Sequence, residues 1–320
     1  MAIWCNEAQE RYVLGIAAND WPQLQALADN ERCPVATLGQ ATERQDLVLI
    51  DDRPGQGQAC VIDLPLSGLL GQMPPLKINA LSEPMPCPDR GVADIELAEA
   101  IERVLRSPTV GSKAFLITIA DRTVGGLSVR DPMVGPHQVP VSDCAITLRD
   151  YAHDAGLAMA IGERTPLAIW DAPASVRMAI GEALTNLSGV SIDTLKRVKL
   201  SANWMAAAGQ PGQDAALHAA VSAARDLCVS LGVSIPVGKD SLSMHTQWRD
   251  DHDRPQAMTS PVSLIVSAFA GIDSVREHIT PQLQPEPSSL VLIDFGAQRL
   301  GGSALAQVFA DDEVRALGAV

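Results

Sequence analysis

The strongest constraint on the fold is a pair of helix-length amphipathic stretches set among short β-type runs. Between Gln213 and Leu231, Leu217, Ala220, Val221, Ala224, Leu227, Cys228 and Leu231 recur at helical spacing and share one face. Ala174 to Val190 shows a second such pattern. Around them stand short apolar runs of strand length: Ala114–Ala120, Pro140–Leu148, Gly156–Ile161, Arg197–Asn203 and Pro261–Ile272. Strands and helices alternate, so the central part of the chain must bury one or more sheets under helices. Upstream, Tyr12–Ala18, Pro34–Gly39, Leu47–Asp51 and Ala59–Asp63 read as strands and Trp21–Asn30 as a helix, a small α/β unit. Gln72–Arg90, with its cluster of prolines, reads as a linker, and Asp94–Arg106 as an amphipathic helix. Beyond Pro285, Ser288–Phe295 reads as a new strand and Gly302–Ala310 as a new helix, the opening of a further domain.

Charge and composition narrow the function. With 24 Lys+Arg against 38 Asp+Glu the net charge is -14, which repels nucleic-acid phosphates, and 3% aromatic residues supply few stacking platforms. DNA and RNA are therefore set aside as partners. No apolar run reaches the length of a membrane span, and residues 1–7 do not resemble a signal peptide. Six cysteines without Cys-x-x-Cys spacing argue against zinc and against a disulfide framework, and fit a reducing cytoplasm.

Four polar groups are candidates for chemistry. Glu182 and Asn186, in Gly181-Glu182-Ala183-Leu184-Thr185-Asn186, stand at i and i+4 and share a helical face. Both offer hard oxygens of the kind Mg²⁺ takes, although a solvated polar stripe has the same spacing. Asp143, in Val141-Ser142-Asp143-Cys144, stands beside a buried strand and needs a cation, hydrogen-bond donors or water. Gly238-Lys239-Asp240-Ser241 has the ingredients of a phosphate-holding loop but is no Walker A motif, because position 233 is Val; a polar turn between strands is the alternative. Asp121 to Asp131, with Gly125-Gly126, continues into Met133-Val134-Gly135-Pro136 and can bring backbone close to a ligand or form an ordinary turn. No histidine stands in a triad or metal spacing; His137 reads as a surface residue. Trp204 reads as core.

Taken in order, Trp4 to Tyr12, Asp121-Arg122, Met133 to Pro136, Gly162-Glu163-Arg164, Gly181 to Asn186, Lys199 to Ala206 and Gly238 to Met244 resemble the synthetase region of large, single-chain phosphoribosylformylglycinamidine synthases over nearly the whole chain. The resemblance implies an α+β fold. Residues 1–71 would be the end of a first B domain, 72–92 a linker, 93–284 a second A domain forming half of a central β-barrel with flanking helices, and 285–320 the start of a second B domain. It implies a piece of an ATP-dependent ligase that converts formylglycinamide ribonucleotide and glutamine to the amidine, in a cytoplasmic pathway. It further implies an auxiliary ATP/ADP site with Mg²⁺ held by Asp143, Glu182 and Asn186 and with Lys113 and Ser142 at the nucleotide. Lys239, Asp240 and Ser241 would lie on the barrel side. The partners would be the other synthetase half and a glutaminase domain, or a second copy paired through the barrel. On this resemblance the chain alone is expected not to turn over, and no catalytic residue is assigned to it; the alternatives are a stand-alone ATP-binding member of the same superfamily and a non-catalytic interaction module.

Overall fold

The computed structural model describes residues 6, 8–53, 57, 59–71, 75, 77–83, 95–119, 122–123, 125–294 and 300–309. The chain divides into two compact units, Met1–Ile78 and Asn79–Val320.

In the first unit a short 3-10 turn, Ala18–Asp20, leads into α1 (Trp21–Asn30), with Pro22 in its first turn where the missing N–H costs nothing. β1 (Asp46–Asp51) pairs antiparallel with β2 (Ala59–Pro65), and α2 (Leu66–Leu70) follows. Ala28 and Ile62 are the buried apolar residues among those described in this unit. The strands expected over Tyr12–Ala18 and Pro34–Gly39 do not form. Tyr12, Val13, Leu14 and Leu38 are exposed and no neighbouring backbone pairs with them. A strand needs a ladder partner, and these runs have none among the described residues.

The second unit starts with α3 (Leu97–Arg106), capped by the Glu96 carboxylate on the Glu99 N–H and laced by Glu102–Arg106 and Glu99–Arg103 pairs. α4 (Ala114–Ile119) stands where a strand was expected. That run is too short for periodicity to separate helix from buried strand. Next comes an irregular antiparallel ribbon, residues 127–134 against 140–148, in which Val129 N donates to Ile146 O at 2.9 Å and Ser142 N to Pro132 O at 2.8 Å. Then follow β3 (Ala145–Leu148), β4 (Gly156–Glu163), α5 (Ala172–Leu187), β5 (Lys199–Met205), α6 (Gln213–Leu231), β6 (Ser234–Ser241), the hairpin β7 (His245–Arg249) and β8 (Pro255–Thr259), β9 (Ser263–Ile272) and α7 (Ala304–Val308). Ser288–Asp294, read as a strand, carries no strand pairing; Phe295 lies outside the described residues, as do Asp94 and Ala310 at the ends of expected helices.

β3, β4, β9, β5 and β6 form one sheet in that order, antiparallel except for the β5–β6 pair. Helix α5 packs on one face. Small residues make this possible: Ala158, Ala160, Ala268 and Ala270 on the sheet meet Ala179 and Ala183 on the helix, all fully or nearly fully buried. At Gly162 the backbones approach so closely that a Cβ would lie 2.1 Å from Ala179 O and 2.5 Å from Ala183 N. α5 begins where the Asp171 carboxylate accepts from Ala174 N at 2.7 Å. α6 ends at Gly232, whose φ of 69° lets Val233 N reach Cys228 O at 3.0 Å. The five strands do not close into a barrel. This is a mixed α+β unit, with helices against one face of an open sheet.

Candidate functional site

β3 begins opposite Met159, whereas β4 runs on through Ala160 to Glu163. The edge of β4 that β3 vacates therefore has backbone groups without ladder partners. Two side chains of α5 supply them: Glu182 Oε2 accepts from Glu163 N at 2.8 Å, and Asn186 Nδ2 donates to Ile161 O at 3.0 Å. The i, i+4 pair is thus one device, and each hydrogen bond leaves one side-chain oxygen over: Oε1 of Glu182 and Oδ1 of Asn186. Asp143, exposed, lies two residues before β3, at the same end of the β3–β4–α5 layer. Asp143, Glu182 and Asn186 each offer a hard oxygen of the kind Mg²⁺ takes. No group of three His, Cys, Asp or Glu side chains in metal-holding arrangement occurs among the described residues, so a metal here would need the Asn186 oxygen or ligands from elsewhere.

The turn that carries Asp143 is held from both sides. Arg130 Nε donates to Ser142 Oγ at 3.1 Å, its Nη2 donates to the same oxygen and to Cys144 O at 2.8 Å, and Ser142 Oγ donates to Cys144 O at 3.0 Å. The Ser142 hydroxyl is engaged within the turn. Lys113 is not drawn into this group: its Nζ caps the preceding turn, donating to Thr109 O at 3.0 Å and Gly111 O at 2.9 Å.

The expected loop at Gly238–Ser241 is a strand. All four residues belong to β6 and pair with Ala202 to Met205 of β5. Alternation then separates the candidates. Lys239 and Ser241 share the face opposite α5, where Lys239 Nζ donates to Ser241 Oγ at 2.7 Å. Asp240 is on the other face; a groove of about 410 Å³ along this strand is lined by Ala202, Trp204, Pro236, Gly238 and Asp240, and by Lys239 as well, so it wraps the strand rather than belonging to one face. The β-type alternation of Ser234–Ser241 was the signal for this, masked by the phosphate-loop look of Gly-Lys-Asp-Ser. Trp204 packs against the core and His137 is exposed, both as expected.

Arg130 was missed by the sequence reading; nothing local marks it, since its partners are twelve and fourteen residues away. Asn203, in β5, was not singled out either. It lies on the face opposite α5, and its Oδ1 is buried without a hydrogen-bond partner. No described helix is long and apolar enough to cross a membrane.

The model of the FGAR-AT PurM_N-like domain family matches residues 112–271, half of the 320-residue chain. Among solved structures, Thermotoga maritima PurL complexed with ATP superposes at a TM-score of 0.50 with 16% identity, over 80% of this chain and 36% of that one. The crystal structure of phosphoribosylformylglycinamidine synthase II from Thermotoga maritima matches at a TM-score of 0.41 with 18% identity, over 75% of this chain and 33% of that one. The chain thus spans about a third of the length of these proteins.

Proposed function

The chain belongs to the FGAR-AT PurM_N-like domain family, and on that premise we propose that it is a part of a phosphoribosylformylglycinamidine synthase that carries an auxiliary nucleotide site and completes the synthetase barrel. The complete enzyme would convert formylglycinamide ribonucleotide, ATP and glutamine to the amidine in purine biosynthesis. Asp143, Glu182 and Asn186 would hold Mg²⁺ beside ADP or ATP, with the Ser142 turn at the phosphates; Lys113 would join them by turning its ammonium away from Thr109 O and Gly111 O. Mg²⁺ there would neutralise phosphate charge. The chain's own part is to bind and orient. Glu182 and Asn186 are fixed by their bonds to the β4 edge, so their remaining oxygens are presented without further loss of rotamer freedom. That fixed pair with one oxygen left over on each side chain is the observation that carries the reading. The face of the sheet away from α5, with Lys239 and Ser241, would pair with the other synthetase half or with a second copy to complete the barrel.

The test is a calorimetric titration of ADP into the full chain with and without Mg²⁺, for the wild type and for Glu182→Gln. The glutamine keeps an acceptor for Glu163 N and so spares the fold, but it loses the charge. Mg²⁺ should tighten ADP binding to the wild type, and the variant should lose about tenfold or more of that gain. A wild type indifferent to Mg²⁺, or a variant with the full gain, refutes the site.

A further inference from the structure

Arg130 is held in a way that the fold alone does not require. Its contacts land on Ser142 and Cys144, the two residues that flank Asp143. The guanidinium is half-buried, no acid pairs with it among the described residues, and its Nη1 is buried with no partner. An unpaired buried donor on a cation costs stability, and a neutral residue in its place would avoid that cost. What arginine adds is its planar fork. Nε and Nη2 diverge at a fixed angle, so one side chain can pin the Ser142 hydroxyl and the Cys144 carbonyl together. The bond from Ser142 Oγ to Cys144 O closes the same loop. With both neighbours pinned and Ser142 N tied to Pro132 O, the Asp143 backbone has little freedom left, while its carboxylate stays exposed.

We propose that Arg130 is the positioning residue for Asp143: it fixes the 142–144 turn so that this carboxylate faces a divalent cation in the same direction as the free oxygens of Glu182 and Asn186. The inference rests on the nucleotide-site reading above and adds to it a residue that touches neither metal nor nucleotide. Partners that orient a metal ligand typically change metal affinity by about 10- to 100-fold when removed.

The experiment measures ADP affinity of the full chain with and without Mg²⁺ for the wild type, Arg130→Met, Arg130→Lys and Ser142→Ala, with the thermal midpoint of each recorded. Arg130→Met should lose about tenfold or more of the Mg²⁺-dependent gain while its Mg²⁺-free affinity stays within about twofold of wild type. Arg130→Lys should lose nearly as much, because it restores charge without the fork, and Ser142→Ala should fall between. Should Arg130→Met fail to fold, Ser142→Ala and Arg130→Lys decide. An unchanged Mg²⁺ gain, full rescue by lysine, or equal loss with and without Mg²⁺ overturns the positioning role but leaves the site standing. Absence of any Mg²⁺ gain in the wild type overturns the site and this inference with it.

Discussion

The two faces of the five-stranded sheet are built on opposite rules. On the face under α5, Ala158, Ala160, Leu200, Ala202, Val266, Ala268 and Ala270 are buried and interlock with small helix residues. On the other face Ile161 is 60% exposed and Val237 61%, and the Asn203 amide oxygen is buried with no donor. One face is finished within the chain. The other carries exposed apolar side chains and an acceptor unmet among the described residues, both unusual on a free surface. A sheet packed on one side only is common in antiparallel folds, but its free side is then normally polar.

The largest effect should come from the finished face. Gly162→Val places a side chain where even a Cβ would meet α5 backbone at 2.1 Å, and backbone cannot swing aside as a side chain can. Overpacking of this kind costs about 3 kcal/mol or more. Urea unfolding should show the midpoint fall sharply or the native state disappear. A variant as stable as wild type would mean that α5 does not sit this closely on β4.

The open face should respond in the opposite way. Ile161→Ser and Val237→Ser remove exposed apolar surface, so stability should move by about 0.5 kcal/mol or less, while self-association at high concentration should weaken. Light scattering across a concentration series reads this directly. If the wild type stays monomeric, or the double variant associates as strongly, the free face is not what brings copies together.

The sequence was most legible where an element finds its partners nearby and its length is sufficient. The helix read over Gln213–Leu231 has the observed bounds, and β4, β5 and β9 appear within two or three residues of the runs that announced them. Legibility failed where pairing decides. Tyr12–Ala18, Pro34–Gly39 and Ser288–Asp294 have the composition of strands, yet among the described residues no strand pairs with them. Of the candidate site, the Glu182/Asn186 face could be read from spacing. Their bonds to Glu163 N and Ile161 O could not, because those depend on β3 stopping two residues short of Ile161. The Arg130 clamp was invisible for the same reason: it joins residues whose neighbourhood only the ribbon creates.

The smallest effect separates both faces from the connections between strands. Among the described residues, every carboxylate with a displaced pKa lies in a turn or at a strand end: Asp51, Asp150, Asp154, Asp250 and Asp273. pH should therefore act on connections and leave the sheet faces alone. Asp150, in the β3–β4 connection, shows the sign. The Ala152 N–H, followed by the His153 ring and then Arg149, holds its carboxyl down at about 2, against an ordinary 3.8. A carboxylate whose pKa is lowered by folding contributes stability that is fully present above its unfolded value and is lost as pH falls through the folded one. The window is thus from about pH 4 down to about pH 2. Asp150→Asn keeps an acceptor for Ala152 N and His153 N but no longer titrates, so its thermal midpoint should fall less steeply than that of wild type across this window. The group is exposed and solvent-screened, so the difference should be smaller than either effect above. The Ile161→Ser profile should run parallel to wild type across this window, since Ile161 is not among the partners that hold the Asp150 carboxyl down. Parallel profiles for Asp150→Asn and wild type would show that the turn draws no stability from this charge, and a changed slope in Ile161→Ser would break the separation between face and connection.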